Sequence, residues 1–236
     1  MVNTRSFLVL GLSLIAGLTV FGMQIGRAVR KGREFDRCLT VRGLAEREVK
    51  STLAIWPIRF SVSADDLSSL KTAMEKSRDL VAAFLKENGI ESTEVNQGLP
   101  GVCDREDERI QLKLASLPRY RGIVTMVVRS PNVDLVKKAI QGANVLLVNG
   151  VTLMANDSGD PIQFLFDAVN EIKPDMIREA TANARIAAEK FAQDSRSKVG
   201  RIRRATQGAL EMENRDAASP ERKILRVVTT VDFFLE

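Results

Sequence analysis

Residues 47–62 read Arg-Glu-Val-Lys-Ser-Thr-Leu-Ala-Ile-Trp-Pro-Ile-Arg-Phe-Ser-Val, and Ser63-Ala-Asp-Asp66 follows at once. Val49, Ile55, Ile58, Phe60 and Val62 supply β-branched and aromatic side chains, partly alternating with polar ones, so the stretch reads as a strand. Pro57 has no N–H to give a ladder, which places it at an edge or a bulge. Ser63 to Asp66 then forms a near capping box, with Asp standing in for Glu. Leu67, Leu70, Met74, Val81, Phe84 and Leu85 recur at helical steps, and Gly89 sits where a left-handed cap would end the helix. A long strand turning directly into an amphipathic helix is the unit on which the fold reading rests.

Working outward, Leu39-Thr-Val-Arg-Gly-Leu44 reads as a preceding strand, and strands follow near 91–98 and 119–129. The polar stretch 103–117 connects the latter two. Ser130-Pro131 opens a second helix, serine capping and proline in the first turn. Its buried face is Val133, Val136, Ile140, Ala143 and Leu147, and Gly150 closes it. Strands near 151–155 and 162–168 precede a long helix from Pro174 to about Ser197, with Ile177, Ala180, Ala184, Ala188 and Phe191 on its buried edge. Gly200 ends it, and strands near 201–211 and 223–235 finish the chain. Blocks of strands with few crossovers predict an α+β fold, antiparallel sheet with about three helices on one face. The two halves have the same element order but no residue-level self-similarity.

The N-terminus is of another kind. After a short segment, 1–6, residues Phe7 to Ile25 form a nearly unbroken apolar run without a polar face. Nineteen helical residues span roughly 28 Å, close to the ~30 Å hydrocarbon core of a bilayer. The run is long for a secretory signal and lacks a clean small-x-small exit, so an uncleaved transmembrane signal anchor is expected, with a cleaved signal and a core helix as competing readings. A charged linker, 26–37, leads to a domain at 38–236. Its Arg27, Arg30, Lys31 and Arg33 are candidate headgroup contacts. By the positive-inside rule these four basic residues would hold the domain on the cytoplasmic side.

The net charge of +5 is concentrated at the start: residues 1–36 carry +3, leaving +2 for the remaining 200. With Trp56 and Tyr120 the only aromatics besides phenylalanine, no nucleic-acid surface is expected. The absence of histidine excludes Ser-His-Asp and Cys-His catalysis and histidine-bound zinc. Cys38 and Cys103 are too few for a thiolate cage. In an oxidising compartment they could form one disulfide; in a reducing one they would be small buried apolar residues.

No phosphate loop, dinucleotide fingerprint or nucleophile elbow occurs. Asn156-Asp-Ser-Gly-Asp160 faintly suggests a calcium loop, but Pro161 stands where glycine must turn, so a plain turn is expected. Asp104-Arg-Glu-Asp-Glu-Arg109 reads as a solvated charged run, Trp56 as core or interface, and Arg201-Ile-Arg-Arg204 as an exposed strand face. Neither a cofactor nor a metal is expected. An enzyme using carboxylates or Cys38, and a lipid-surface or small-ligand module built around Arg27 to Arg33, are the alternatives to a binding protein.

Several segments together resemble the SIMPL-domain family, which includes bacterial periplasmic immunogenic proteins and a eukaryotic kinase-interacting member. They are Val41-Arg-Gly-Leu-Ala-Glu-Arg-Glu-Val49, Ala54-Ile-Trp-Pro-Ile58, Ile172-Lys-Pro174, Asp194-Ser-Arg-Ser-Lys-Val-Gly200 and Val227-Val-Thr-Thr-Val231. The branch with an N-terminal membrane helix is the most similar. Two departures stand out: Arg196 where glycine is usual, and Cys38 where threonine is common. The resemblance implies an α+β fold, single-pass attachment to the bacterial inner membrane with a periplasmic domain, homo-oligomers or envelope protein partners, and no catalytic residues. It also implies roles in envelope or oxidative stress.

Overall fold

The computed structural model describes residues 17–25, 37–113, 116–155 and 161–236. Helix α1 is described over 17–25, and its apolar side chains are exposed. Residues 7–16 of the expected anchor lie outside the described residues. Among the described residues, no helix is long and apolar enough to cross a membrane. The chain forms two compact units interleaved in sequence. One takes Met1–Arg47, Ile172–Glu211 and Leu225–Glu236; the other takes Glu48–Glu171 and Met212–Ile224.

The second unit is centred on strands β2 (Leu53–Ala64) and β5 (Tyr120–Ser130), which pair antiparallel from Ala54 opposite Ser130 to Ala64 opposite Tyr120. This register puts Ala54, Trp56, Ile58 and Phe60 beside Val128, Met126 and Val124 on one buried face. Helices α2 (Leu67–Glu87), α4 (Val133–Gly142) and α5 (Asn144–Val148) supply Val81, Phe84, Leu85, Val136 and Leu146 to the same cluster. Each large side chain so buried contributes about 1.5–3 kcal/mol. Trp56 is therefore core.

Strands β3 (Val95–Gln97) and β4 (Gly101–Asp104) pair with β5, while β6 (Thr152–Leu153) and β7 (Gln163–Leu165) pair with β2. On that side β7 covers residues 53–55 and β6 covers 60–61, leaving a gap. Arg59 accepts an N–H from Met154 on this side, and strand alternation turns position 57 the same way. Pro57 thus sits in the gap, inside the sheet but at a local edge.

Several boundaries differ from expectation. Asp66, rather than Ser63, caps α2: its carboxylate accepts the Ser69 N–H at 2.8 Å. Leu67, expected in the buried stripe, is exposed. The helix ends at Asn88, and Gly89 has φ +79° as its position requires. The expected strand at 91–98 is a short 3-10 turn, Ser92–Glu94, followed by β3. The expected polar connector holds β4 and helix α3 (Glu106–Leu112), whose first-turn Glu106, Asp107 and Glu108 suit the helix dipole. Asn132 occupies the cap position of α4, while the Ser130 hydroxyl accepts the Asn132 N–H. The helix expected through Leu147 breaks at Ala143, giving α5.

The first unit contains most of strands β1 (Cys38–Lys50), β8 (Val199–Asn214) and β9 (Arg222–Leu235), in the order β1-β9-β8, and most of helix α6 (Val169–Asp194). Val41 on β1 and Val231 and Phe233 on β9 meet Ala184 and Ala188. The helix starts five residues before Pro174, so the Asn170 carbonyl receives no helical N–H from that position. Its buried positions are Met176, Ala180, Ala184, Ala188 and Ala192, whereas the expected Phe191 is exposed. An alanine at every fourth position lets the helix lie almost on the strand. A Cβ added at Gly43 would stand 1.8 Å from the Ala180 carbonyl oxygen.

After α6 the chain reverses through Arg196 at φ +56°. A non-glycine residue there carries about 1–2 kcal/mol of backbone strain. Arg196→Gly should therefore raise the unfolding free energy by about 1 kcal/mol, offset in part by added freedom of the unfolded chain. Urea titrations would show this as a higher midpoint at unchanged slope; no rise would contradict it.

Candidate functional site

The carboxylates of the charged run are engaged with cations. Arg119 donates to Asp104 from Nη2 at 2.9 Å and from Nε at 3.2 Å, and the Glu106 N–H donates to the same carboxylate at 3.0 Å. The Arg119 guanidinium also lies 5.0 Å from the Tyr120 ring centroid, a cation–π contact. Arg109 donates to Glu106 at 3.3 Å, and Arg105 donates to the Pro118 carbonyl at 2.9 Å. This is a clasp that joins β4 and α3 to the start of β5. Among the described residues, no group of three acidic or cysteine side chains could hold a metal ion.

Arg119's hydrogen bond, helped by the Glu106 N–H and outweighing desolvation, holds the Asp104 carboxyl below its usual value. A lowered carboxyl contributes stability above its unfolded value and loses it as pH falls through the folded one. Asp104→Asn should accelerate amide exchange in Gly101–Glu106 severalfold and leave β2 unchanged; equal protection in both proteins would refute the clasp.

The two cysteines belong to different units, are both exposed, and are not joined by a disulfide in the structure. The expected burial in a reducing setting is thus corrected: Cys38 begins β1 and Cys103 lies on β4, and neither position faces a core. The Arg203 guanidinium donates to the Cys38 sulfur at 3.2 Å. Arg27, Arg30, Lys31, Arg33 and the loop Asn156–Asp160 lie outside the described residues.

Two concave surfaces occur on the second unit. A groove of about 390 Å³ is lined by Leu67, Leu70, Met74, Pro100, Val102 and Val124. Another of about 670 Å³ lies over Leu85, Ile90, Val95 and Met126. Both are largely apolar and shallow, and β4, missed in the sequence because of its single valine, forms one wall of the first.

Strand β8 is the largest exposed feature. Arg201–Ala209 and Glu211–Asn214 are exposed, and the strand is the last of its sheet, so its outer edge has no partner strand among the described residues. It is held on one side only: Lys198 and Glu236 exchange backbone hydrogen bonds at 2.7 and 2.8 Å, and Arg215 donates to Arg222. Arg201 rests over the Phe234 ring, 5.5 Å from its centroid. The expected exposed face at Arg201–Arg204 is what the structure places there; the sequence did not signal that the strand would also be an unpaired edge.

An α+β arrangement of antiparallel sheets with helices on one face is the class to which the chain belongs. A family model named SIMPL, described as a protein of unknown function (DUF541), matches residues 39–232, and the chain is a member of that family. No curated protein matches it.

Proposed function

We propose that this chain is a non-enzymatic, membrane-anchored cell-envelope protein whose SIMPL domain self-associates or binds protein partners. The observation that carries the reading is the 16-residue edge strand β8, exposed and unpaired on its outer side. Such an edge offers a row of N–H and C=O groups to another strand. The carboxylates of the charged run support the same reading, since their lone pairs are spent on arginines. Light scattering on the purified full chain in detergent tests it: assemblies or a captured envelope partner are expected, and a strict monomer without partner refutes it.

Membrane attachment rests on the apolar run Phe7–Ile25, of which the described part is helical with its apolar side chains turned outward. On this reading the helix is a single inner-membrane pass and the domain is periplasmic, against the charge bias of the linker. A reporter fused after Glu236 decides the side. A domain outside the membrane would place both exposed thiols in an oxidising space. A part in envelope or oxidative stress then follows as the physiological setting, tested by survival of a deletion strain under peroxide.

The apolar groove at Leu70, Met74 and Val102 favours a second reading, a small apolar ligand. Displacement of a fluorescent apolar dye, abolished by Val102→Glu, would support it.

A further inference from the structure

Strand β8 carries its charges in two blocks. Arg201, Arg203 and Arg204 lie in its first half, and Glu211 and Glu213 in its second. Gln207 is at the middle: Arg203 lies four residues before it and Glu211 four residues after. Exposed edges are ordinarily protected by charge. Charges of one sign would serve that purpose, repelling every copy of the strand equally. Two blocks of opposite sign discriminate among pairings.

We propose that β8 pairs antiparallel with β8 of a second copy, in a two-fold register centred on Gln207. This rests on the self-association reading above and names the surface that performs it. In that register Arg203 of each copy faces Glu211 of the other, so two ion pairs form by symmetry. Arg204 meets Leu210, Ala205 meets Ala209, and Thr206 meets Gly208, so no like charges face one another. Read further along the strand, Arg201 meets Glu213 and Ile202 meets Met212. A two-fold interface requires this self-complementarity. Parallel in-register pairing would set Arg203 against Arg203 and Glu211 against Glu211. A slip by one residue would face Arg203 with Met212 and Ile202 with Glu213. The small residues Ala205, Gly208 and Ala209 at the centre leave the backbones unobstructed, and the outer ladder of β8 gains the partner it lacks.

Charge reversal on the full chain tests this. Arg203→Glu puts carboxylates opposite Glu211, and Glu211→Arg puts guanidiniums opposite Arg203, each at both ends of the pair. Each single variant should weaken dimerisation roughly tenfold or more, at about 0.2–1 kcal/mol per cross-strand charge pair lost and a similar repulsion gained. Mixing the two variants should restore assembly as a heterodimer, because every facing pair then has opposite signs. Neither substitution touches a buried residue, and unchanged circular dichroism confirms folding.

In a Cys38→Ser, Cys103→Ser background, Gln207→Cys should oxidise to a covalent dimer, since self-facing Cα atoms in an antiparallel pair lie about 4.5–5.5 Å apart. Ala209→Cys, which faces Ala205, should not. If the parent assembles but the single reversals leave its assembly unchanged, β8 pairing is overturned while self-association by another surface stands. If the parent is a monomer at every concentration, both fall.

Discussion

Gly43→Ala should unseat helix α6 from strand β1 and lower stability by about 3 kcal/mol or more, the upper end of overpacking costs. A Cβ at position 43 would stand 1.8 Å from the Ala180 carbonyl oxygen, 2.5 Å from the Ala184 nitrogen and 2.9 Å from the Ala180 carbonyl carbon. All three are backbone atoms of one helix, so no side chain can turn aside to make room. Relief requires the whole helix to lift, and that would strip Ala184 and Ala188 from Val41, Val231 and Phe233. For a chain of this size the loss corresponds to a melting temperature lower by about 6–12 °C. Calorimetry on Gly43→Ala reads it directly, and a variant melting within a degree of the parent would disprove the close approach.

Lys137→Met should cost about 2–3 kcal/mol at neutral pH by leaving the buried Glu221 without its cation. Lys137 donates to Glu221 Oε1 at 2.6 Å, and Glu221 Oε2 has no hydrogen-bond partner among the described residues. The Glu221 backbone carbonyl also accepts the Ser51 N–H at 2.8 Å, so the residue ties the β2 entry to its own loop. Desolvation pushes the Glu221 carboxyl up. The Lys137 hydrogen bond, the residue's own backbone N–H and the charges of Lys137 and Arg222 together outweigh it and hold the carboxyl below its usual value. The pair's contribution is therefore full above the ordinary glutamate value and is lost as pH falls through the lowered one. In the variant a neutral Glu221 is preferred, so the deficit against the parent should be largest near pH 7 and shrink toward pH 3–4, about the ordinary glutamate range and just below it. Adding Glu221→Gln should recover part of the loss. A deficit that does not vary with pH would mean packing, rather than charge, made the difference.

These two positions differ in how far the chain announced them. Gly43 lies in a segment whose alternation marks a strand, and the alanines at 180, 184 and 188 announce a helix meant to lie close to something. Their meeting is a long-range event, and only the register of Val41, Val231 and Phe233 against α6 shows why position 43 bears no side chain. Lys137 and Glu221 gave no signal, because 84 residues separate them and each reads as an ordinary surface charge. The clasp at Asp104 is similar. Its acidic run was plain, but the Arg119 that takes up its carboxylate comes from the next strand.

Local periodicity was enough for the α+β class, for helices α2 and α6, and for the long strands, since alternation and three-to-four spacing are properties of neighbours along the chain. The glycine cap at Gly89 and the strained position at Arg196 were equally local. Other features depended on which strands become neighbours: the gap that accommodates Pro57, the short strands β3, β4, β6 and β7, and the rotation of α6 that buries Met176 and exposes Phe191. So did the bare outer edge of β8. Hydrogen-bond partners across a sheet and the depth at which a helix seats are set by pairing between distant segments, and no window of sequence contains both sides of that pairing.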